Sequence, residues 1–315
     1  MEKILVIGAS GMVGVGLVLE LRKKYGGENV FASDIKEENL LLSGTGPFVK
    51  LDAMDKNAIA SLIDKEKINV IYHLAALLSV GGEANPELCW NLNVGSLRSI
   101  LDLGVEKKLK IFWPSSIAAF GPTTPKDKTP QHTVLEPTTM YGVTKYAGEL
   151  LCQYYKNRYD LDVRSLRYPG LLSWKSEPGP GTTEYAVEIF YGALNDGKYT
   201  APLSENTYLP MMYMEDAIRG TIMLMNAPAE KVKNRMSYNF SAISFSPQEI
   251  ATEIKKHIPE FEISYAPDAR QAIADSWPKS IDDSVARAEW GWQHEYDLSK
   301  MVENMFKNLK IKLGK

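Results

Sequence analysis

The run Lys3-Ile-Leu-Val-Ile-Gly-Ala-Ser-Gly-Met-Val-Gly14 constrains this chain more than any other stretch, because few structures satisfy it. Ile4, Leu5, Val6 and Ile7 are apolar without alternation, as a central parallel strand covered on both faces requires. Glycines then fall at Gly8, Gly11 and Gly14: the first permits a tight turn, the second lets backbone N–H groups approach a pyrophosphate, and the third lets the next helix pack on the strand. That helix, predicted from Met12 to Tyr25, stops at Gly26-Gly27 and turns its N-terminus toward the anion. Asn29 to Ser33 follows as a second strand ending on Asp34. An acid about twenty positions past the last glycine is where a dinucleotide's ribose hydroxyls need an acceptor. Strand, turn, helix, strand and acid together predict a dinucleotide site that includes Gly8, Ser10, Gly11, Met12, Gly14 and Asp34.

The rest of the first half repeats the strand–helix alternation. Phe48 to Leu51 reads as a third strand leading to Asp52 and Ala53, which are expected beside the adenine. Lys56 to Lys65 reads as a polar helix, and Asn69 to Ala76 as a fourth strand whose Leu74, Ala75 and Ala76 lie at its C-terminal end, against the cofactor. A single long amphipathic helix is predicted from Glu87 to Lys107. Lys110 to Trp113 forms a fifth strand ending in Pro114-Ser-Ser116, which brings Ser116 to the crevice edge. After a Pro- and Thr-rich loop, a second long helix starts beyond Pro137 and carries Tyr141-Gly-Val-Thr-Lys145, whose i,i+4 spacing stacks a phenol and an ammonium on one face. Leu161 to Leu166 is expected to close the sheet. The fold class is therefore α/β, a doubly wound parallel sheet of the Rossmann type. Residues 1–168 are expected to form the nucleotide-binding domain. Residues 169–315 are expected to form a smaller interleaved α/β substrate domain, with a return to the first near 207–226.

With 315 residues, 44% hydrophobic and 24% charged, the chain can bury a sizeable core. A net charge of −3 recommends neither nucleic acid nor a membrane surface as a partner. No run approaches the ~18 apolar residues of a membrane span. The chain enters its first strand after two residues, so no leader is expected and the location is read as cytoplasmic. Cys89 and Cys152, the only cysteines, suit a reducing compartment. The four histidines show no ligand spacing, so no metal is expected.

Taken together, these residues resemble the extended short-chain dehydrogenase/reductase superfamily. The carriers are the three glycines, Asp34, Asp52, His73-Leu-Ala-Ala76, Asn93-Val-x-Ser, Ser115-Ser116, Tyr141-x-x-x-Lys145, Arg167-Tyr-Pro-Gly170 and Trp290-Gly-Trp292. The second half is similar to the L-threonine 3-dehydrogenases of this type, through Tyr168 to Ser173, Pro178 to Ala186, Leu209 to Tyr213 and Gln271 to Pro278. Two departures stand out. Pro180 and Glu184 replace a glycine and an aspartate common in the family, which would stiffen the loop and move the acid by one methylene. Phe120 replaces a frequent tyrosine.

The resemblance implies NAD as cofactor, with Asn93, Tyr141, Lys145 and Tyr168 among its contacts. Asp34 would disfavour a 2′-phosphate, and Lys36 is the one nearby cation. It implies Tyr141 as general base, Ser116 as hydrogen-bond partner of the reacting oxygen and Lys145 as holder of the ribose. A unit charge at ~4 Å and effective dielectric ~20 is worth about 4 kcal/mol, roughly three pKa units, so Lys145 is expected to bring the phenol near working pH. Ser79, Thr182 and Thr183, with Ser116 and Tyr141, are expected to bind a small amino acid whose methyl is walled by Trp277 and Leu78. The product, 2-amino-3-oxobutyrate, could pass to a glycine-forming CoA ligase. The helices near 91–107 and 137–159 suggest a homodimer. A nucleotide-sugar 4-epimerase is the first rival; those enzymes usually carry Arg-Tyr-Phe-Asn where this chain has Arg167-Tyr-Pro-Gly170. A cofactor-sensing scaffold is the second, and it would have no need of Ser116, Tyr141 and Lys145 together.

Overall fold

The computed structural model describes residues 2–179 and 181–315, so Pro180, expected to stiffen its loop, lies outside the described residues. Strand β1 (Ile4–Ile7) is wholly buried, and its neighbours explain why it needs no polar face. It pairs in parallel with β2 (Val30–Asp34) on one side and β4 (Val70–His73) on the other. With β3 (Phe48–Lys50), β5 (Lys110–Ser116) and β6 (Asp162–Tyr168) this makes the parallel order β6-β5-β4-β1-β2-β3. The chain reverses direction across the sheet between β1 and β4, and the crevice beyond those C-terminal ends is where a doubly wound fold binds its ligand.

Alternation assigns the faces. Ile4 and Val6 join a core with helix α1 (Met12–Tyr25), whereas Leu5 and Ile7 point into a second core with α2 (Lys56–Glu66). The predicted single helix from Glu87 to Lys107 is corrected by the structure. Short helices α3 (Ser79–Ala84) and α4 (Pro86–Trp90) precede a π-helical segment, Asn91–Gly95, which runs into α5 (Ser96–Lys107). Asn85 caps α4 and Pro86 fits its first turn, a start signal that lay one residue before the predicted one. The second long helix, α6 (Met140–Tyr159), is capped by Thr139, whose Oγ1 accepts the Gly142 N–H at 3.1 Å.

The sheet does not end at β6. After β7 (Gly170–Leu172), α7 (Tyr185–Asn195), β8 (Lys198–Ala201), β9 (Leu209–Tyr213) and α8 (Met214–Asn226), the two-residue strand β10 (Tyr238–Asn239) adds a seventh strand beside β6. Two residues are too short for a periodicity to reveal. Helix α8 packs on α1, and Ile218 sits against Gly16. Tyr238, Phe240, Trp290 and Trp292 enter the same core.

The remaining core is built mainly from the second half. It is assembled from β9, β11 (Ile243–Phe245), α7, α9 (Pro247–Lys255), α10 (Ala269–Ser276) and α12 (Leu298–Leu313), whereas α11 (Ser284–Trp290) serves the first core. Strand β12 (Glu262–Tyr265) pairs with β8. Ile117, Ala118 and Phe120, just beyond β5, also enter this core, and Tyr141 packs against it.

Candidate active site

The nucleotide end is made of backbone. Gly8 adopts φ 89°, a left-handed conformation that glycine accepts without strain. Its N–H and that of Ala9 both reach Ser33 O at 2.9 Å, which ties the turn to β2. A Cβ on Gly8 would stand 2.7 Å from Ala75 N, and one on Gly14 would stand 2.3 Å from Gly8 O. Both positions are closed to any side chain. At Gly11 the nearest atom is 3.4 Å away, and no side chain caps the N-terminus of α1, whose first residue is Met12. An open backbone cradle above an uncapped helix end fits a pyrophosphate.

Asp34 accepts the N–H groups of Ser10 and Lys36, each at 3.0 Å, and is fixed where β2 ends. Asp52 is exposed and accepts the Met54 N–H at 2.8 Å, with Ala53 buried beside it. Leu74, Ala75 and Ala76 line the switch point half-buried, and the Leu74 N–H is bonded to Ile7 O.

The end of the crevice beyond β5 is made of buried side chains. Ser116 closes β5; its Oγ accepts the Ala118 N–H at 3.2 Å, and its hydroxyl lies beside that of Tyr141, where it favours the phenolate. Lys145, one turn along α6, is almost wholly buried and donates to Pro114 O at 2.7 Å. Its Nζ lies 4.6 Å from the centre of the Trp113 ring and 5.4 Å from that of Tyr141. The structure thus brings Ser116, Tyr141 and Lys145 together, but the expected electrostatics are corrected. Burial pushes the phenol up to about 12, with the Ser116 hydroxyl opposing it, and burial pulls the ammonium down to about 7. Desolvation outweighs the attraction anticipated between them.

Asn93 and Tyr168, both expected among the cofactor contacts, have their side chains engaged within the protein. Asn93 sits in the π-helical segment with its whole amide engaged: Oδ1 accepts the Leu77 N–H at 2.8 Å, and Nδ2 donates to Leu77 O and Thr144 Oγ1, each at 3.0 Å. It ties the loop after β4 to α6. The Tyr168 side chain points into the first core, packed between Phe112 and Phe240 with its hydroxyl bonded to Thr221, because it follows the inward alternation of β6.

Beyond the strand ends stand the expected substrate groups. Ser79 is half-buried at the first position of α3, next to an exposed Leu78. Thr182 is buried, and Thr183 together with Met211 fills the space over Gly170 that any other residue's Cβ would occupy. Trp277 ends α10, buried in the second core. Glu184, the longer acid, turns back to accept the Gly179 N–H at 3.1 Å.

Motif reading missed Glu149. It lies at i+8 from Tyr141, on the same face of α6 as Lys145, and forms a fully buried ion pair with Arg167 at 2.7 Å. The spacing was the available signal. Burying a carboxylate there requires a partner from β6 that no local pattern announces.

Among the described residues no group of three His, Cys, Asp or Glu side chains is placed to hold a metal, and no helix is long and apolar enough to cross a membrane.

Comparison with known proteins places these features. Residues 4–240 match the model of the NAD dependent epimerase/dehydratase family. The chain is 49% identical over 314 residues to an uncharacterized epimerase/dehydratase of Staphylococcus haemolyticus, covering 99% of each. It is 46% identical to the mitochondrial L-threonine 3-dehydrogenase of Bos taurus, over 96% of this chain and 82% of the relative. A solved structure described as a monomeric L-threonine 3-dehydrogenase from a metagenome superposes with a TM-score of 0.94 at 47% identity, covering 99% of this chain and 100% of that one. The chain belongs to the NAD dependent epimerase/dehydratase family.

Proposed function

We propose that this enzyme oxidises L-threonine at C3 to 2-amino-3-oxobutyrate with NAD. The observation that carries the reading is Ser116, Tyr141 and Lys145 converging at the end of β5, beyond a glycine turn shaped for a dinucleotide. The 46% identity to a named L-threonine 3-dehydrogenase selects the substrate.

NAD bound in the crevice supplies the hydride acceptor. Gly8, Ser10, Gly11, Met12 and Gly14 would hold its pyrophosphate, Asp34 its adenosine ribose, Asp52 and Ala53 its adenine, and Leu74 to Ala76 its inner face. Tyr141 takes the proton of the substrate's 3-hydroxyl, and Ser116 donates to the oxygen as it becomes a carbonyl. Lys145 would hold the nicotinamide ribose. A phenol raised to about 12 must lose its proton before it can act as a base, so turnover should climb with pH. Ser79, Thr182 and Thr183 orient the amino acid's charged groups, and Trp277 bounds its methyl side; residues 169–315 act as the substrate-binding unit.

The product is a β-keto acid, and a CoA-dependent ligase would consume it before decarboxylation. Exposed Trp90, Val143, Leu150 and Tyr154, on α4 and α6, support pairing of two copies through these helices. Two unpaired, buried cysteines suit the reducing cytoplasm.

NADH formation across a panel of amino acids and UDP-sugars tests the reading. Threonine should be the preferred substrate, and faster turnover of a UDP-sugar would move the function to an epimerase.

A further inference from the structure

Three consecutive residues of β5 meet three residues of one α6 face. The Pro114 carbonyl accepts the Lys145 ammonium at 2.7 Å, the Ser115 hydroxyl donates to Glu149 Oε1 at 2.6 Å, and the Ser116 hydroxyl lies beside that of Tyr141. Tyr141, Lys145 and Glu149 are spaced i, i+4, i+8. We infer that Glu149 is a positioning residue for the reaction, whose carboxylate grips Ser115 and Arg167 together and so sets Ser116 and the Pro114 carbonyl against Tyr141 and Lys145. The inference rests on the function proposed above.

The carboxylate is saturated. Oε1 accepts Ser115 Oγ and Arg167 Nε, the latter at 2.9 Å, and Oε2 accepts Arg167 Nη2 at 2.7 Å. Arg167 is paired with Ser115 in the β5–β6 register, so one anion holds both strands. The guanidinium continues to Gln131 O at 3.2 Å and Asn239 Oδ1 at 2.9 Å, with the Phe120 ring centre 5.1 Å away. Asn239 in turn donates to Thr129 O and Asp282 O. The position of the catalytic serine is thus referred to β10 and the second half of the chain. A buried ion pair is a weak source of net stability, because the desolvation of both charges offsets their attraction. What this one supplies is direction, from a bidentate fork that fixes distance and angle together.

Its charge also acts on Lys145. The groups that bear on that ammonium are Cys89 from α4, His73 from β4, and Tyr141, Glu149 and Cys152 from α6, with the Trp113 ring from β5. Burial pushes both thiols and the phenol up and pulls His73 down to about 3, which leaves these four groups neutral near pH 7. Glu149 is the one of these groups that meets Lys145 as an anion, and it favours the charged amine.

The test compares the parent with Ser115→Ala and Glu149→Gln, following NADH formation from pH 6 to 10 and NAD affinity by calorimetry at the same pH values. Ser115→Ala should lower kcat about tenfold, within the loss that a misplaced reacting group produces, with the KM for NAD kept. Glu149→Gln should lose NAD affinity at a lower pH than the parent, as removal of a neighbouring opposite charge requires. Parental kcat in Ser115→Ala overturns the inference. So does a Glu149→Gln pH profile of NAD affinity that overlays the parent's, even with a lower plateau, since that is the signature of a merely structural role. Should Glu149→Gln fail to fold, the kcat-against-KM split of Ser115→Ala decides. If the parent makes no NADH from threonine, the functional reading fails; the pH dependence of NAD affinity, which needs no threonine, still judges Glu149.

Discussion

At the β1–α1 turn, the groups that face the cofactor crevice are backbone atoms held by sterics, whereas at the β5–α6 junction they are side chains held by one another. The first region works because nothing fits there: a Cβ at Gly8 or Gly14 would meet backbone at 2.7 or 2.3 Å. The second works because something costly has been buried, with Lys145 and Glu149 both almost free of solvent. A site made of shape is insensitive to pH and to neighbouring charges. A site made of desolvated charge takes its properties from everything packed around it, which is why Tyr141 and Lys145 are shifted in opposite senses by the same burial.

The largest effect that would sharpen this contrast lies at the chemical end. Tyr141→Phe should reduce kcat by roughly 10²–10⁴, the usual share of a positioned base, with calorimetric NAD affinity retained. Near-normal turnover would mean that the base lies elsewhere and that the two regions are not divided as described.

The reverse pattern is expected at the turn. Gly14→Ala forces its methyl into Gly8 O and Ala9, so the turn must open. It should destabilise the protein by about 1–3 kcal/mol, as overpacking does, and weaken NAD along with stability. Gly11→Ala has open space before it and should leave the melting temperature nearly unchanged. Equal melting temperatures for the two variants would break the claim that sterics build this end.

A smaller effect is expected at Asp34, where the two kinds of construction overlap, because backbone N–H groups of Ser10 and Lys36 aim a charge at the ribose site. Asp34→Ala should narrow the NAD-to-NADP ratio of kcat/KM by about tenfold, the equivalent of 1.4 kcal/mol. An unchanged ratio would show that the selectivity is carried elsewhere.

The contrast also accounts for what the amino-acid sequence disclosed. The glycine turn, Asp34 and the first five strands were legible because sterics and β-branched runs are local properties. Ser116, Tyr141 and Lys145 were legible as positions, since strand ends and i,i+4 spacing place them. Their charge states were not, because desolvation depends on Trp113, His73 and Cys89, which come from other elements. The direction of the Tyr168 side chain was hidden for a related reason: a motif names a residue, but strand alternation decides where its side chain points. The seventh strand, Tyr238–Asn239, and the Glu149–Arg167 pair depend on contacts 72 and 18 residues apart, which no window contains.

A different measurement separates function from stability at Lys145. In the folded, cofactor-free protein its ammonium is depressed to about 7 from 10.5, so between those values the unfolded chain holds a proton that the folded chain has released. Stability from this group therefore rises as pH increases from about 7 toward 10.5, and below 7 the fold bears the full cost of a buried charge. Lys145→Met keeps an unbranched side chain without the charge. It forfeits the bond to Pro114 O, worth about 1 kcal/mol, but it removes a desolvation cost of several kcal/mol at roughly 1.4 kcal/mol per pKa unit. The cofactor-free variant should thus be inactive yet melt higher than the parent at pH 6, by about 2–4 °C for each net kcal/mol, with the difference shrinking by pH 9. The scan stays below 10 because ionisation of unfolded tyrosines then begins to favour unfolding, Tyr141 being raised in the fold. Melting curves recorded for both proteins at each pH isolate the lysine, since every other titrating group is common to them. A variant that melts lower at pH 6, or a difference that does not change with pH, would mean that the charge at the β5–α6 junction is accommodated without cost and that this end, too, is built by shape.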